Sequence, residues 1–414
     1  MNNVLLEKWN PILNNDKVPA ITDPYRARVT AQLLENEESF LKEVSVASDV
    51  QNWDPILISL VRRLAPKLIA YDICGVQPMT GPTGLIFAMR SRYVDGGDTG
   101  KGTEAFMNTI KTEFSGGTGG AATHSNAAND PAASPANYPT ETGTTLGNIS
   151  ASGSGLFTYD GETDEWNAMS FTIEKTSVVA KTRQLRADYS LELAQDLRVM
   201  HGLDAETELS NILSTEIIAE INREIVRTIY AVAVPGGTSG GGTFDLKSDA
   251  DGRWMLERVK GLLFAIERDA NAIAKTTRRG KGNFIITSPD VASSLSLAGI
   301  LNYAPALDSQ IALDVDETGV TLAGRCGRFK VFIDPYLVGD GYVVGFKGAN
   351  AYDAGVFYCP YVPLQMVKAT DPTYFQPAIG FKTRYGFVAN PFVTTGMTAN
   401  SNDYFRKSTV TSLL

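Results

Sequence analysis

Histidine is almost missing, with His124 and His201 the only two in 414 residues. That excludes a histidine metal cage and leaves any Ser-His-Asp triad to one of those two imidazoles. Cysteine is nearly as scarce. Cys74, Cys326 and Cys359 lie far apart and form no CxxC pair, which excludes a disulfide scaffold or a zinc ribbon and fits folding in a reducing compartment. Each reads as a small buried hydrophobe. No apolar run of about 18 residues occurs, and Met1 to Asn10 lacks a basic segment leading into an apolar one. Neither a membrane span nor a secretory leader is expected. Positive charge is also short. The 37 Lys+Arg against 46 Asp+Glu leave a net charge of −9, the wrong sign for a general nucleic-acid binder.

What is present is a globular composition, 43% hydrophobic and 20% charged, in a chain long enough for a sizeable core and two or three domains at roughly 150 residues each. Asp23-Pro24 supplies an N-cap carboxylate and a proline at the first helical position. Behind it Tyr25 to Glu43 reads as a modest, solvated helix rich in glutamate. Asp54-Pro55 opens a second helical pattern, Ile56 to Leu64, limited by Pro66. Leu85 to Val94 and Met169 to Arg183 alternate β-branched and aromatic residues as long strands do. Between them, residues 95–167 are dominated by Gly, Ala, Ser, Thr and Asn with no sustained period, as in an insertion at the tip of one hairpin. The clearest helix is Ala205 to Ala231, with Leu209, Ile212, Leu213, Ile217, Ile221, Ile225 and Ile229 on one face. A second helix spans about Trp254 to Lys275. The remainder is strand-rich: Phe284 to Thr287, Phe329 to Ile333, Tyr342 to Phe346, Val356 to Tyr358 and Ala378 to Val388. Ser288-Pro289-Asp290 starts a short helix through Leu297. The fold class is α+β.

The local motifs that suggest chemistry fail on inspection. Asp95 to Gly102 looks like a phosphate loop, but Asp95 stands where its first glycine belongs and Gly102 where Ser or Thr should follow the lysine. Asp314 to Gly319 begins like a calcium loop, yet its twelfth position is Arg325 where a bidentate Glu is required. His201 sits at a helix end, and His124 lies in the low-complexity insertion, a poor setting for a base. No nucleophile elbow is present. Two basic clusters remain, Arg62-Arg63 with Lys67 and Arg278-Arg279-Gly280-Lys281. They read as contacts between subunits, since Arg suits bidentate pairing across an interface; a solvated face is the alternative.

Leu60 to Phe87, with Leu68-Ile69-Ala70-Tyr71-Asp72-Ile73-Cys74-Gly75-Val76-Gln77-Pro78-Met79 and Pro82-Thr83-Gly84, closely resembles a signature of T4-like tailed-bacteriophage major capsid proteins. Arg278 through Ala292 is similar to a second block of that family, and the likeness runs from Leu6 to Lys407. It implies an HK97-type capsid fold. The corresponding parts would be an N-terminal arm (1–82), an extended hairpin loop (83–185) with its insertion (95–167), and a peripheral domain (186–282 and 376–414) on a spine helix from about Leu191 to Ala233, bent near Gly202. An axial domain would occupy 283–375. The insertion is poor in aliphatic and aromatic residues and is expected to be a reduced version of the family's insertion domain.

The same resemblance implies a subunit of hexameric and pentameric capsomers that close an icosahedral head around double-stranded DNA without reading its sequence. Vertex, decoration, scaffold, portal and prohead protease proteins would be its partners, with no membrane, no cofactor, no metal and no catalytic residue. A vertex protein of the same fold is the alternative role, and an enzyme on an α+β scaffold the competing class. The family's protease cuts after a Glu preceded two positions earlier by Leu or Ile, removing an N-terminal propeptide. Leu41-Lys42-Glu43 fits, giving a propeptide of 1–43; Leu33-Leu34-Glu35 and Leu5-Leu6-Glu7 fit too.

Overall fold

The computed structural model describes residues 2–13, 21, 23–44, 68–94, 105, 168–236, 241–249, 254–299, 301–303, 321–350, 352–370, 376–390 and 399–413. It begins with a helix pair, α1 (Asn2–Leu13) and α2 (Pro24–Val44). Trp9 and Leu13 of the first pack on Ala31 and Leu34 of the second. Asp23 and Pro24 act as expected at the helix start, the Asp23 carboxylate accepting from the Tyr25 N–H at 3.0 Å. The solvated character expected of α2 is corrected, because Val29, Thr30, Leu33 and Leu34 are all buried. Its glutamates mask an i, i+4 apolar stripe that the rest of the molecule covers. The helical pattern at 56–64 lies outside the described residues.

Along the chain follow α3 (Ala70–Ile73), β1 (Gly75–Val76), β2 (Thr83–Tyr93), β3 (Met169–Val179), β4 (Lys181–Asp188), α4 (Leu191–Met200), α5 (Ala205–Val232), β5 (Ala233–Pro235) and β6 (Thr243–Asp245). Then come α6 (Met255–Thr277), β7 (Phe284–Thr287), α7 (Pro289–Leu297), β8 (Leu301–Tyr303), β9 (Thr321–Cys326), β10 (Phe329–Ile333), β11 (Gly341–Gly345), β12 (Val356–Thr370), β13 (Pro377–Ala389) and β14 (Asn402–Thr411). Two units result, Met1–Ile86 with Ser177–Leu414, and Phe87–Thr176.

Among the described residues the large unit holds two sheets. One has the order β1-β12-β13-β4; β1 runs parallel to β12 and the other pairs are antiparallel. The second is eight-stranded, β5-β14-β11-β7-β10-β9-β8, with β6 also on β14. β7 and β10 pair in parallel, the chain crossing between them by way of α7, β8 and β9. α5 packs on β4 and β13, while α6 packs on β11 and β14. A single apolar cluster joins these helices to both sheets, with Ile217, Ile225 and Ile229 of α5, Leu262, Ile266 and Ile273 of α6, and Ile285, Val343 and Phe405 of the second sheet fully covered. The small unit contains most of the paired strands β2 and β3, and the Val94 N–H donates to the Ala168 carbonyl at 3.0 Å.

Long-range pairing alters several expectations. The strand expected from Met169 to Arg183 breaks at Ala180 into β3 and β4, and β4 joins the four-stranded sheet. The short strand expected at Val356 extends to Thr370, passing Pro360 and Pro363 by register shifts between Pro360 and Gln365; proline's missing donor disguises such a strand. The spine is two helices separated by His201 to Asp204, with Gly202 at φ +67 in the left-handed region that ends a helix cheaply. Ile212, expected on the buried stripe of α5, is exposed. The sheets also divide the chain elsewhere than at residue 375. β12 shares a sheet with β13, whereas β14, expected in the peripheral part, lies in the eight-stranded sheet between β5 and β11. No described helix is long and apolar enough to cross a membrane.

Candidate functional site and assembly surfaces

The described residues contain no cluster of His, Cys, Asp or Glu arranged to hold a metal ion. The three cysteines are buried, and burial pushes the Cys74 and Cys359 thiols up to about 12. Thiols so held stay protonated at neutral pH and make poor nucleophiles. His201 is exposed and caps α4, its N–H donating to the Leu197 carbonyl at 3.0 Å. His124 lies outside the described residues.

The polar structure that is present holds elements together. At the seam between α2 and the first sheet, the Tyr25 hydroxyl donates to the Val76 carbonyl and accepts from the Val76 N–H at 3.1 Å. Since β1 is the edge strand, one phenol covers backbone groups that would otherwise stay open. Burial pushes that phenol up to about 12. Beside it Arg26 donates to Asp72 at 2.8 Å, and Lys330 approaches the other carboxylate oxygen at 3.5 Å. Lys347 reaches the Tyr71 carbonyl, and burial lowers its pKa from the usual lysine range. Asn36 donates to the carbonyls of Met79 at 2.8 Å and Tyr361 at 3.2 Å. A second network ties β4 to α5. Arg183 bonds Glu220 at 3.0 Å and Glu224 at 2.6 Å, and Tyr385 donates to Glu224 from the neighbouring strand.

Of the residues singled out as intersubunit contacts, Arg278, Arg279 and Lys281 are described. Arg278 ends α6 at φ 52, a left-handed position. Arg279 pairs with Asp353 at 3.4 Å, and Lys281 with Glu267 at 2.8 Å, where Arg328 also binds at 2.8 Å. Arg279 and Lys281 therefore brace their own chain. Between them Gly280 has no room for a side chain, since a Cβ there would meet the Phe346 ring at 2.3 Å. Arg62, Arg63 and Lys67 lie outside the described residues. Leu41, Lys42 and Glu43 fall in the last turn of α2, whereas Leu33 and Leu34 of the second cleavage candidate are buried in its middle, and Leu5, Leu6 and Glu7 sit within α1.

The most unusual surface is the hairpin. On one face Arg90 and Arg92 pair with Glu174 at 3.4 and 2.9 Å, and Arg92 donates to Thr172 at 3.1 Å. The side chains alternating with these point the other way, and Phe87, Met89, Phe171 and Ile173 are exposed there at 53%, 69%, 64% and 61%. The period-2 pattern of Met169 to Thr176 is the signal in the sequence, but alternation says which side chains share a face, not what covers that face. An apolar patch of this kind marks an interaction surface. α4 is the second such place, because none of its residues is buried.

A chain with a braced α+β body, and with a hairpin and a helix whose apolar side chains are left uncovered, has the design of a self-associating structural subunit. Comparison with known proteins gives that class its family. The family model "Major capsid protein Gp23" matches residues 50–410. The major capsid protein of Salmonella phage ViI is 40% identical, over 98% of this chain and 97% of that protein. That of Enterobacteria phage T4 is 36% identical, over 95% and 93%. The T4 capsid vertex protein is 29% identical, over 54% of this chain and 53% of its own. Among solved structures, the capsid of Myoviridae Phage XM1 is 10% identical with a TM-score of 0.42, covering 83% of this chain and 92% of that one. The chain belongs to the Gp23 major capsid protein family. It builds the head shell of a phage and resides in the virion capsid.

Proposed function

We propose that the chain works as a non-catalytic subunit of hexameric capsomers, with pentamers as a second state, and that repeated weak interfaces supply the stability of the shell. The observation that carries this reading is the exposed apolar face of the hairpin. In an isolated subunit it costs hydration free energy; laid on a neighbour it returns roughly 25 cal/mol for each Å² removed from water. Size-exclusion chromatography with mass measurement of the purified full chain tests the reading. Six-fold particles or closed shells support it, and a stable monomer at high protein concentration rejects it.

The shell would enclose double-stranded DNA without sequence readout, and the chain's net charge of −9 suits an inner wall that does not trap phosphates. Vertex, decoration, scaffold, portal and prohead protease proteins are the proposed partners. Arg62, Arg63, Lys67, Arg278, Arg279 and Lys281 are proposed for contacts between subunits; Arg279 and Lys281 would need to exchange their internal partners to take part. Processing is proposed after Glu43. Its place in the last turn of α2 favours it over Glu35, since a protease needs extended backbone and helix ends open far more readily than buried middles. The family model also begins at residue 50, just past this position. Intact mass of subunits from mature particles decides the point: a chain that still begins at residue 1 or 2 rejects cleavage.

A further inference from the structure

Two long helices of the body each turn one apolar residue away from the core. Ile212 of α5 is 61% exposed and Phe264 of α6 is 71% exposed. A single exposed apolar side chain is ordinary, but the neighbours of these two match in spacing and oppose in sign. The outward stripe of α5 reads Glu208, Ile212, Glu216, and that of α6 reads Lys260, Phe264, Arg268, each at i, i+4 and i+8 with every member exposed. None of these four charges pairs with another described residue. Beside Phe264 lies an open groove of about 470 Å³, lined also by Arg268, Asn271 and Lys275, which leaves room for an aliphatic side chain next to the ring.

We propose that α5 of one copy packs antiparallel on α6 of a second copy, with Ile212 entering the groove beside Phe264, Glu208 meeting Arg268 and Glu216 meeting Lys260. The inference rests on the capsomer reading and adds to it an interface separate from the hairpin. Charge chooses the occupant, because neither stripe can pair with a second copy of itself: two acidic stripes repel, and so do two basic ones. Spacing agrees. Four residues of helix span about 6 Å on either side, so the apolar contact and both ion pairs form together. Charge also sets the direction. Antiparallel packing brings Lys275 towards Asp204 at the start of α5, whereas parallel packing would bring it onto Arg223, since each lies eleven positions beyond its apolar residue. Two different surfaces meet, so each copy offers α5 to one neighbour and α6 to the other, and such a contact can close into a ring.

The test joins the two positions directly. Full chains carrying Ile212→Cys or Phe264→Cys, one of them isotopically labelled, are assembled together and treated with a short bismaleimide; the three native cysteines are buried and should not react. Dimers linking residue 212 of one chain to residue 264 of the other are expected in the mixture and not in either chain assembled alone. Assembled capsomers without that link overturn the proposal. Charge exchange supplies a second readout. Glu208→Arg and Arg268→Glu should each lower capsomer yield about 10-fold, because like charges then face each other across the interface, and the two together should recover most of that loss. Glu208→Arg combined with Lys260→Glu should not recover, since those positions lie at opposite ends of an antiparallel contact. Single variants that assemble like the parent, or recovery with Lys260→Glu in place of Arg268→Glu, also overturn the proposal. All of these positions are exposed, so an unchanged melting temperature shows that subunit folding is intact. If the parent chain forms no capsomers, the capsomer reading fails; if capsomers form and the link between 212 and 264 is missing, only this assignment fails.

Discussion

The eight-stranded sheet and the hairpin are both β-structure, yet they deal with their apolar residues in opposite ways. In the sheet, Ile285, Ile286, Val331, Val343 and Val344 are fully buried, covered by helices and by the parallel and antiparallel neighbours that close the ladder. In the hairpin, Phe87, Met89, Phe171 and Ile173 are equally apolar and stand in water. On the proposed reading, one element serves the stability of the subunit and the other the stability of the assembly. The comparison separates two quantities that a mutation can change independently, the unfolding free energy of one chain and the free energy of joining chains.

The largest expected effect on unfolding lies in the body. Ile229→Ala, at a fully covered position of α5, should cost about 2–5 kcal/mol, read as a lowered denaturant midpoint of the isolated subunit. Tyr342→Phe comes next. Tyr342 donates to the buried Asp269 at 2.9 Å, and a hydrogen bond to a buried carboxylate is worth about 1.5–3 kcal/mol. A loss near zero would show that Asp269 is satisfied without it. Tyr25→Phe should cost about 1 kcal/mol by uncovering the Val76 backbone at the β1 edge.

The same phenol makes a prediction about pH. Its folded pKa is raised from 10.0 to about 12, so the folded chain holds a proton that the unfolded chain has released. Its stabilising share is complete below pH 10 and disappears as pH rises towards 12. Tyr25→Phe should therefore lessen the alkaline fall in stability across that window. An identical slope in both proteins would refute the shift. The smallest expected effect on unfolding is that of Phe171→Ser, within about 0.5 kcal/mol for an exposed position, accompanied by a marked loss of capsomers. A large destabilisation of the isolated subunit would collapse the contrast between the two regions.

Much of the body is legible in the residues alone. Phe284 to Thr287 and Phe329 to Ile333 are strands with the expected boundaries, and Ser288 caps a helix through Leu297 as its Ser-Pro-Asp start signals. These segments are bounded by their own turn and cap residues, so local rules suffice. α1 is not legible, because its helical state depends on Trp9 and Leu13 finding Ala31 and Leu34 some twenty residues further on. β12 looks like a fragment in the sequence, since Pro360 and Pro363 cannot donate to a ladder and only the irregular register with β13 accommodates them. The basic cluster at 278–281 is visible as charge, but Asp353 and Glu267, which occupy Arg279 and Lys281, are distant in sequence.

By itself the sequence determined what chemistry this chain has the residues for, where its strongest helices and strands lie, and through its signature segments its family. Those properties follow from residue type and short periods, which act over a few positions. Tertiary structure alone decided that β14 leaves the neighbourhood of β13 to enter the larger sheet, that Tyr25 covers the β1 edge, and that one apolar hairpin face is left exposed. Each is a choice of partner among distant segments, set by which pairing removes more apolar surface from water and leaves fewer backbone groups unbonded.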